Sequence, residues 1–112
     1  MTLAGRASMD EADFRRSMML ELPPPGLGDC LAALWWAGRH DWDRAHAIVH
    51  CLDGRNPAWV HAHLHRMEGD LDNARYWYRQ AGRAMPTNPP QEEWMEIVRS
   101  LLQRGLKTPE TE

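Results

Sequence analysis

Asp41-Trp42-Asp43-Arg44-Ala45 is echoed 29 residues further on by Asp70-Leu71-Asp72-Asn73-Ala74. In each copy an aspartate follows a tight turn, where its carboxylate can accept from the amides that open a helix. A small alanine follows four residues later. Upstream of each copy runs another apolar helical stretch, carrying Ala33 in the first and Ala62 in the second, again 29 apart. The pattern is helix, short Gly/Asp turn, helix, twice over. Stacked helix pairs bury faces that neither pair buries alone, and their ends need caps.

Working outward, Ser8-Met9-Asp10-Glu11 reads as a capping box. Phe14, Met18 and Leu22 then recur at i, i+4 and i+8 as one helical stripe. Pro23-Pro24-Pro25-Gly26 ends that helix. Asp29 is expected to cap a second helix running to Gly38, rich in Leu31, Leu34 and Trp35. Asp41 caps a third, with Trp42, Ala45, Val49 and Leu52 inward and Asp53-Gly54 closing it. Asn56-Pro57 opens a fourth, with Asn as N-cap and Pro at the first helical position. A fifth helix runs from Leu71 to Arg83. Thr87-Asn88-Pro89-Pro90 breaks the chain again. Glu92 and Glu93 suit the positive end of a sixth helix dipole, and Trp94, Ile97, Val98, Leu101 and Leu102 form its apolar stripe, with Gly105 just past its end.

No segment alternates with period two, so the fold is expected to be all-α, with roughly five to seven helices. The chain is read as a single domain. Residues 1–26 hold an N-terminal helix and Pro-rich linker, 27–86 two degenerate helix pairs, 87–105 a C-terminal capping helix, and 106–112 a frayed tail.

The composition fits that reading. The 112 residues are 43% hydrophobic and 26% charged, as in an ordinary soluble domain. A net charge of −3 argues against a general nucleic-acid binder and gives no attraction to an anionic membrane. No apolar run is long enough to span a bilayer. Met1 to Ser17 carries charges throughout, unlike a secretory signal. Cys30 and Cys51 form neither a disulfide framework nor a metal set. A cytoplasmic setting is expected.

The stretch from Gly69 to Ala81 resembles the turn and second helix of the tetratricopeptide-repeat superfamily, including its Sel-type variant. Carried over, Ala62 and Ala74 take the small positions of the two helices of one repeat, followed by Tyr78, Ala81 and Pro86. Ala33, Trp36, Ala45 and Pro57 take matching places in the other. The resemblance covers roughly residues 27–86, at a spacing of 29 where the family has 34. The family's first-helix Trp falls at Asp29 and Ala58, and its Leu and Tyr fall at His61 and His65. A Trp-Val-His and Tyr-Trp-Tyr core also resembles that of small bacterial proteins. The resemblance implies a protein- or peptide-binding module. Its groove would be lined by Leu27, Cys30, Leu34, Ala37 and Gly38, then Asn56, Trp59, His63, Arg66 and Met67. Trp59 and Arg66 are suited to be its hot spots. So short a chain leaves a shallow groove, and self-association into a homodimer is the alternative use of that surface.

Two sets of side chains carry a different chemistry. His46, His50 and Asp53 stand at i, i+4 and i+7, and His61, His65 and Glu68 repeat that spacing. Residues so spaced share a face, and two imidazoles with a carboxylate can hold a divalent metal. If adjacent helices pack antiparallel, the two sets approach each other. The His-Glu-x-x-His signature is absent, and His61 and His65 fall where paired helices pack. Hydrogen-bonded core histidines are therefore the preferred reading. A metal or small-ligand site is the alternative. No catalytic set is assigned and no cofactor is expected. Both cysteines read as small hydrophobes, and Pro25-Gly26-Leu27-Gly28-Asp29 as a plain interhelical loop. Arg75, Arg79 and Arg83 line one helical stripe, read as a solvated face pairing with Asp72. Trp36, Trp42, Trp77 and Trp94 are assigned to packing.

Overall fold

The computed structural model describes residues 9–106 and is all-helical, with six helices and no strand among those residues. They are α1 (Glu11–Ser17), α2 (Asp29–Gly38), α3 (Trp42–Val49), α4 (Arg55–Met67), α5 (Leu71–Ala81) and α6 (Pro90–Leu106). No helix is long and apolar enough to cross a membrane.

The anticipated aspartates set two helix starts. Asp41 accepts from Arg44 N, and Asp70 from Asn73 N. Gly82 closes α5 in the left-handed conformation at φ 73°, which glycine adopts without a Cβ penalty. Other boundaries differ from the sequence reading. The capping box of α1 joins Asp10 and Asp13. Ser8 lies outside the described residues, and Glu11 instead meets Arg99 of α6 at 3.1 Å. Asp29 is the first residue of α2 and Gly28 its cap. Gly54 caps α4, so Asn56 and Pro57 fall in its first turn, where a missing amide still leaves no helical bond unmade. Helix α1 ends at Ser17, well before Leu22, which is exposed and off the stripe. Helix α6 runs through Gly105.

Turns of three residues join α2 to α3 and α4 to α5, and each pair packs closely as a helical hairpin. The small residues let the helices approach: Ala33, Ala45, Ala62 and Ala74 are all fully buried. Three indoles fasten elements together through their N–H groups. Trp35 donates to Ser17 Oγ at 3.0 Å, Trp42 to the Leu64 carbonyl at 2.7 Å, and Trp94 to the Leu34 carbonyl at 2.8 Å. Trp36 and Trp77 are also half-buried against the core. Ile97, Val98 and Leu101 place the apolar stripe of α6 across α2 and α4.

Candidate metal centre

Helices α3 and α4 pack side by side, and histidines from both meet in the seam. His46 comes from α3, and His61 and His65 from successive turns of α4. Each offers one ring nitrogen, and the three nitrogens lie within 4.8 Å of one another. His46 Nε2 and His61 Nε2 are 3.1 Å apart. His65 Nδ1 is 2.8 Å from Glu68 Oε2. That contact fixes the His65 tautomer and leaves its Nε2 as the nitrogen it can offer.

Aromatic walls hold the rings. Trp42 stacks on His46 with centroids 4.7 Å apart, and Trp77 stacks on His61 at 4.0 Å. His61 and His65 are buried, and His46 is half-buried. Burial, then the neighbouring rings of His46, His65 and His50, lowers the His61 pKa to about 4. Burial and the His65 and His50 rings also hold His46 below the usual imidazole value, against a weaker opposite pull from Glu68 and Asp43. Two rings at hydrogen-bond distance cannot both carry a proton on the facing nitrogens without repulsion. At most one of the facing nitrogens therefore carries a hydrogen, and its move to the other nitrogen of the same ring exposes the lone pair through which imidazole binds a metal.

The sequence grouped these residues by helix, whereas the structure groups them across the seam. His50 stacks on His46 at 5.3 Å but stands outside the converging set. Asp53 is exposed and takes no part. Glu68 orients His65; a second cluster of His65, Glu68 and Asp70 uses the aspartate that already caps α5. His50, Cys51, Asp53, Arg55, Trp77 and Gln80 line a polar cleft of about 460 Å³ next to these rings. Cys51 is exposed, whereas burial, assisted by Asp29, pushes the Cys30 thiol up to about 11.

The expected groove residues divide between interior and surface. Leu34, Trp59 and His63 are buried, and Arg66 is turned onto Glu93 at 3.0 Å and the Asn88 carbonyl. Asn56 is half-buried and Met67 exposed. Ala37, Gly38, His63 and Met67 line one cavity together with residues of α1 and α6. The arginine stripe is largely solvated, as expected: Arg75 pairs with Asp72 at 2.9 Å, while Arg83 lies over the Trp59 ring.

Sequence reasoning missed the role of Glu93, which it assigned to the positive end of a helix dipole. Glu93 is 1% exposed. His63 Nδ1 lies 2.8 Å from its Oε1, Arg66 Nη1 reaches the same oxygen, and the Tyr78 hydroxyl donates to Oε2 at 2.6 Å. Burial alone would raise this carboxyl, but His63, Tyr78 and Arg66 override it and hold the pKa below the ordinary value. Burial and Glu93 together push the Tyr78 phenol well up. The overlooked signal was position, since Glu93 sits four residues before Ile97 on the buried stripe.

Compared with protein-family models, curated proteins and solved structures, the chain matches none.

Proposed function

We propose that this protein binds a divalent transition-metal ion, of the zinc class, through His46, His61 and His65. The observation that carries this reading is the convergence of three imidazole nitrogens within 4.8 Å of one another, one ring oriented by a carboxylate. Metal–nitrogen distances of about 2.0–2.1 Å put tetrahedral ligand atoms about 3.3–3.4 Å apart. The 3.1 Å between His46 and His61 is close to that spacing, and the third nitrogen needs to close in from at most 4.8 Å. Imidazole nitrogen favours zinc, copper, nickel or cobalt over magnesium or calcium. Three protein ligands leave a fourth position for water, the arrangement that allows Lewis-acid chemistry.

The test is elemental analysis and calorimetric metal titration of protein purified without an affinity tag. One ion per chain is expected, lost in His61→Ala and weakened by about 10–100-fold in Glu68→Ala. Protein that binds no ion, or binds it equally well without His61, overturns the reading.

A protein-binding role has a separate support. Met19, Leu20 and Leu22 are 87%, 51% and 67% exposed, an apolar strip of the kind that marks contact surfaces. A Met19→Ser/Leu22→Ser variant should then lose a partner or a homodimer that the parent chain retains. An unchanged partner profile and oligomeric state would remove this second role. The two free cysteines are in keeping with a cytoplasmic setting.

A further inference from the structure

A second site, independent of the three-histidine cluster, centres on His63. This side chain is 1% exposed, and its Nδ1 meets Glu93. Its Nε2 is buried and has no hydrogen-bond partner. The carboxylate fixes the tautomer, because an ionised Glu93 can only accept, so the Nδ1 carries the hydrogen. Glu93 also pairs with Arg66, and that one cation already balances its charge. With the Nδ1 hydrogen given to Glu93, the uncharged form of this ring has a bare lone pair on Nε2. Buried acceptors without a donor are rare in native proteins.

His63 also lines a cavity of about 530 Å³ between α1, α2, α4 and α6. That volume falls within the range of small-molecule sites. The other walls are mainly apolar, including Met18, Ala37, Met67, Trp94 and Met95. Trp94 has its N–H committed to the Leu34 carbonyl, so its ring is an apolar wall. Three methionines give a lining of flexible, polarisable side chains that can adapt to an occupant and expose the histidine edge.

We propose that this cavity binds a small, largely apolar molecule bearing one hydroxyl or N–H group, which donates to His63 Nε2. Glu93 is the positioning residue, and Tyr78 and Arg66 hold Glu93 in turn. A built acceptor in an apolar cavity discriminates strongly against an analogue that cannot donate.

Phenol and toluene, matched in size and differing in the donor, are the probes. The measurement is long-range nitrogen NMR of the histidine rings in the intact protein, with apparent affinities from the titration. Phenol should move the His63 Nε2 resonance away from that of a free lone pair and bind at least tenfold more tightly than toluene. In Glu93→Ala, phenol affinity should fall and the fixed Nδ1 tautomer should be lost, whereas Glu93→Gln, which keeps an acceptor for the Nδ1 hydrogen, should retain both, a pattern that a purely packing role would not produce. Equal binding of both probes, shifts confined to other residues, or no shift from either overturns the proposal. Titrations of the parent chain with the two probes need no variant, so they decide the matter even where Glu93→Ala folds poorly.

Discussion

Replacing Glu93 with alanine removes the acceptor for three donors at once. His63 Nδ1–H, the Tyr78 hydroxyl and Arg66 Nη1 all converge on it within 3.0 Å. Removing one partner of a buried ion pair leaves an uncompensated charge, at a cost of about 3–5 kcal/mol. The orphaned Arg66 falls in that class, since its side chain is 10% exposed. The Tyr78 hydroxyl and the His63 ring each add a desolvation penalty of about 1–3 kcal/mol where water cannot reach them. Water entering the space left by the carboxylate offsets part of the sum, so about 4 kcal/mol is the expected total. Against a whole-domain stability of about 5–15 kcal/mol, that is a large share. Glu93→Gln is the informative control. Its amide oxygen still accepts from His63 and Arg66, and its NH2 donates to a Tyr78 hydroxyl that has turned to accept. A loss of about 1–2 kcal/mol is therefore expected. Urea unfolding followed by tryptophan fluorescence reads both. Alanine costing less than about 1 kcal/mol, or glutamine costing as much as alanine, would refute the network's role.

Other outcomes follow from the same geometry. Unfolded His61 takes up a proton near 6.5 but the folded residue only near 4, so protons favour the unfolded chain between those values. Metal-free protein should lose stability as pH falls through that window, by at most about 3 kcal/mol. His61→Phe should flatten the loss; an identical pH profile in the variant contradicts the assignment. Gly38→Ala places a Cβ 2.7 Å from Met18 Cε and 2.8 Å from Trp94 Cζ2. Met18 can swing aside, but Trp94 is tethered to Leu34. Overpacking should outweigh the gain in helix propensity, lowering stability by about 1 kcal/mol in thermal melts. A stabilised variant would show that the Trp94 ring is free to move.

The helices were legible because their signals are local. Asp41 and Asp70 sit directly before apolar runs, and the proline clusters break the chain without regard to tertiary context. Misplaced boundaries arose where two signals competed. Leu22 continued the period of Phe14 and Met18, yet the chain turns after Ser17, whose hydroxyl bonds the Phe14 carbonyl and receives the Trp35 indole. Gly28 and Gly54, without side chains to cap, open helices in place of Asp29 and Asn56. The site was half legible. Periodicity identified the histidines and even paired His61 with His65 and Glu68. It assigned His46 to a set with His50 and Asp53, because spacing along one helix says nothing about which side chains meet across a seam. The partners of Glu93 were illegible for the same reason, since His63, Arg66 and Tyr78 lie 15 to 30 residues away on other helices. The burial of Leu34, Trp59 and His63 likewise depends on how helices dock.

Cobalt substitution reads the geometry of the metal site itself. Co2+ bound by three imidazoles and one water gives the intense visible absorption of a four-coordinate ion, whereas six-coordinate aqueous Co2+ absorbs weakly. A site built from His46, His61 and His65 predicts a four-coordinate spectrum that saturates at one equivalent, is displaced by Zn2+, and vanishes in both His46→Ala and His61→Ala. A spectrum indistinguishable from aqueous cobalt, or an intense one that survives loss of His61, would contradict it.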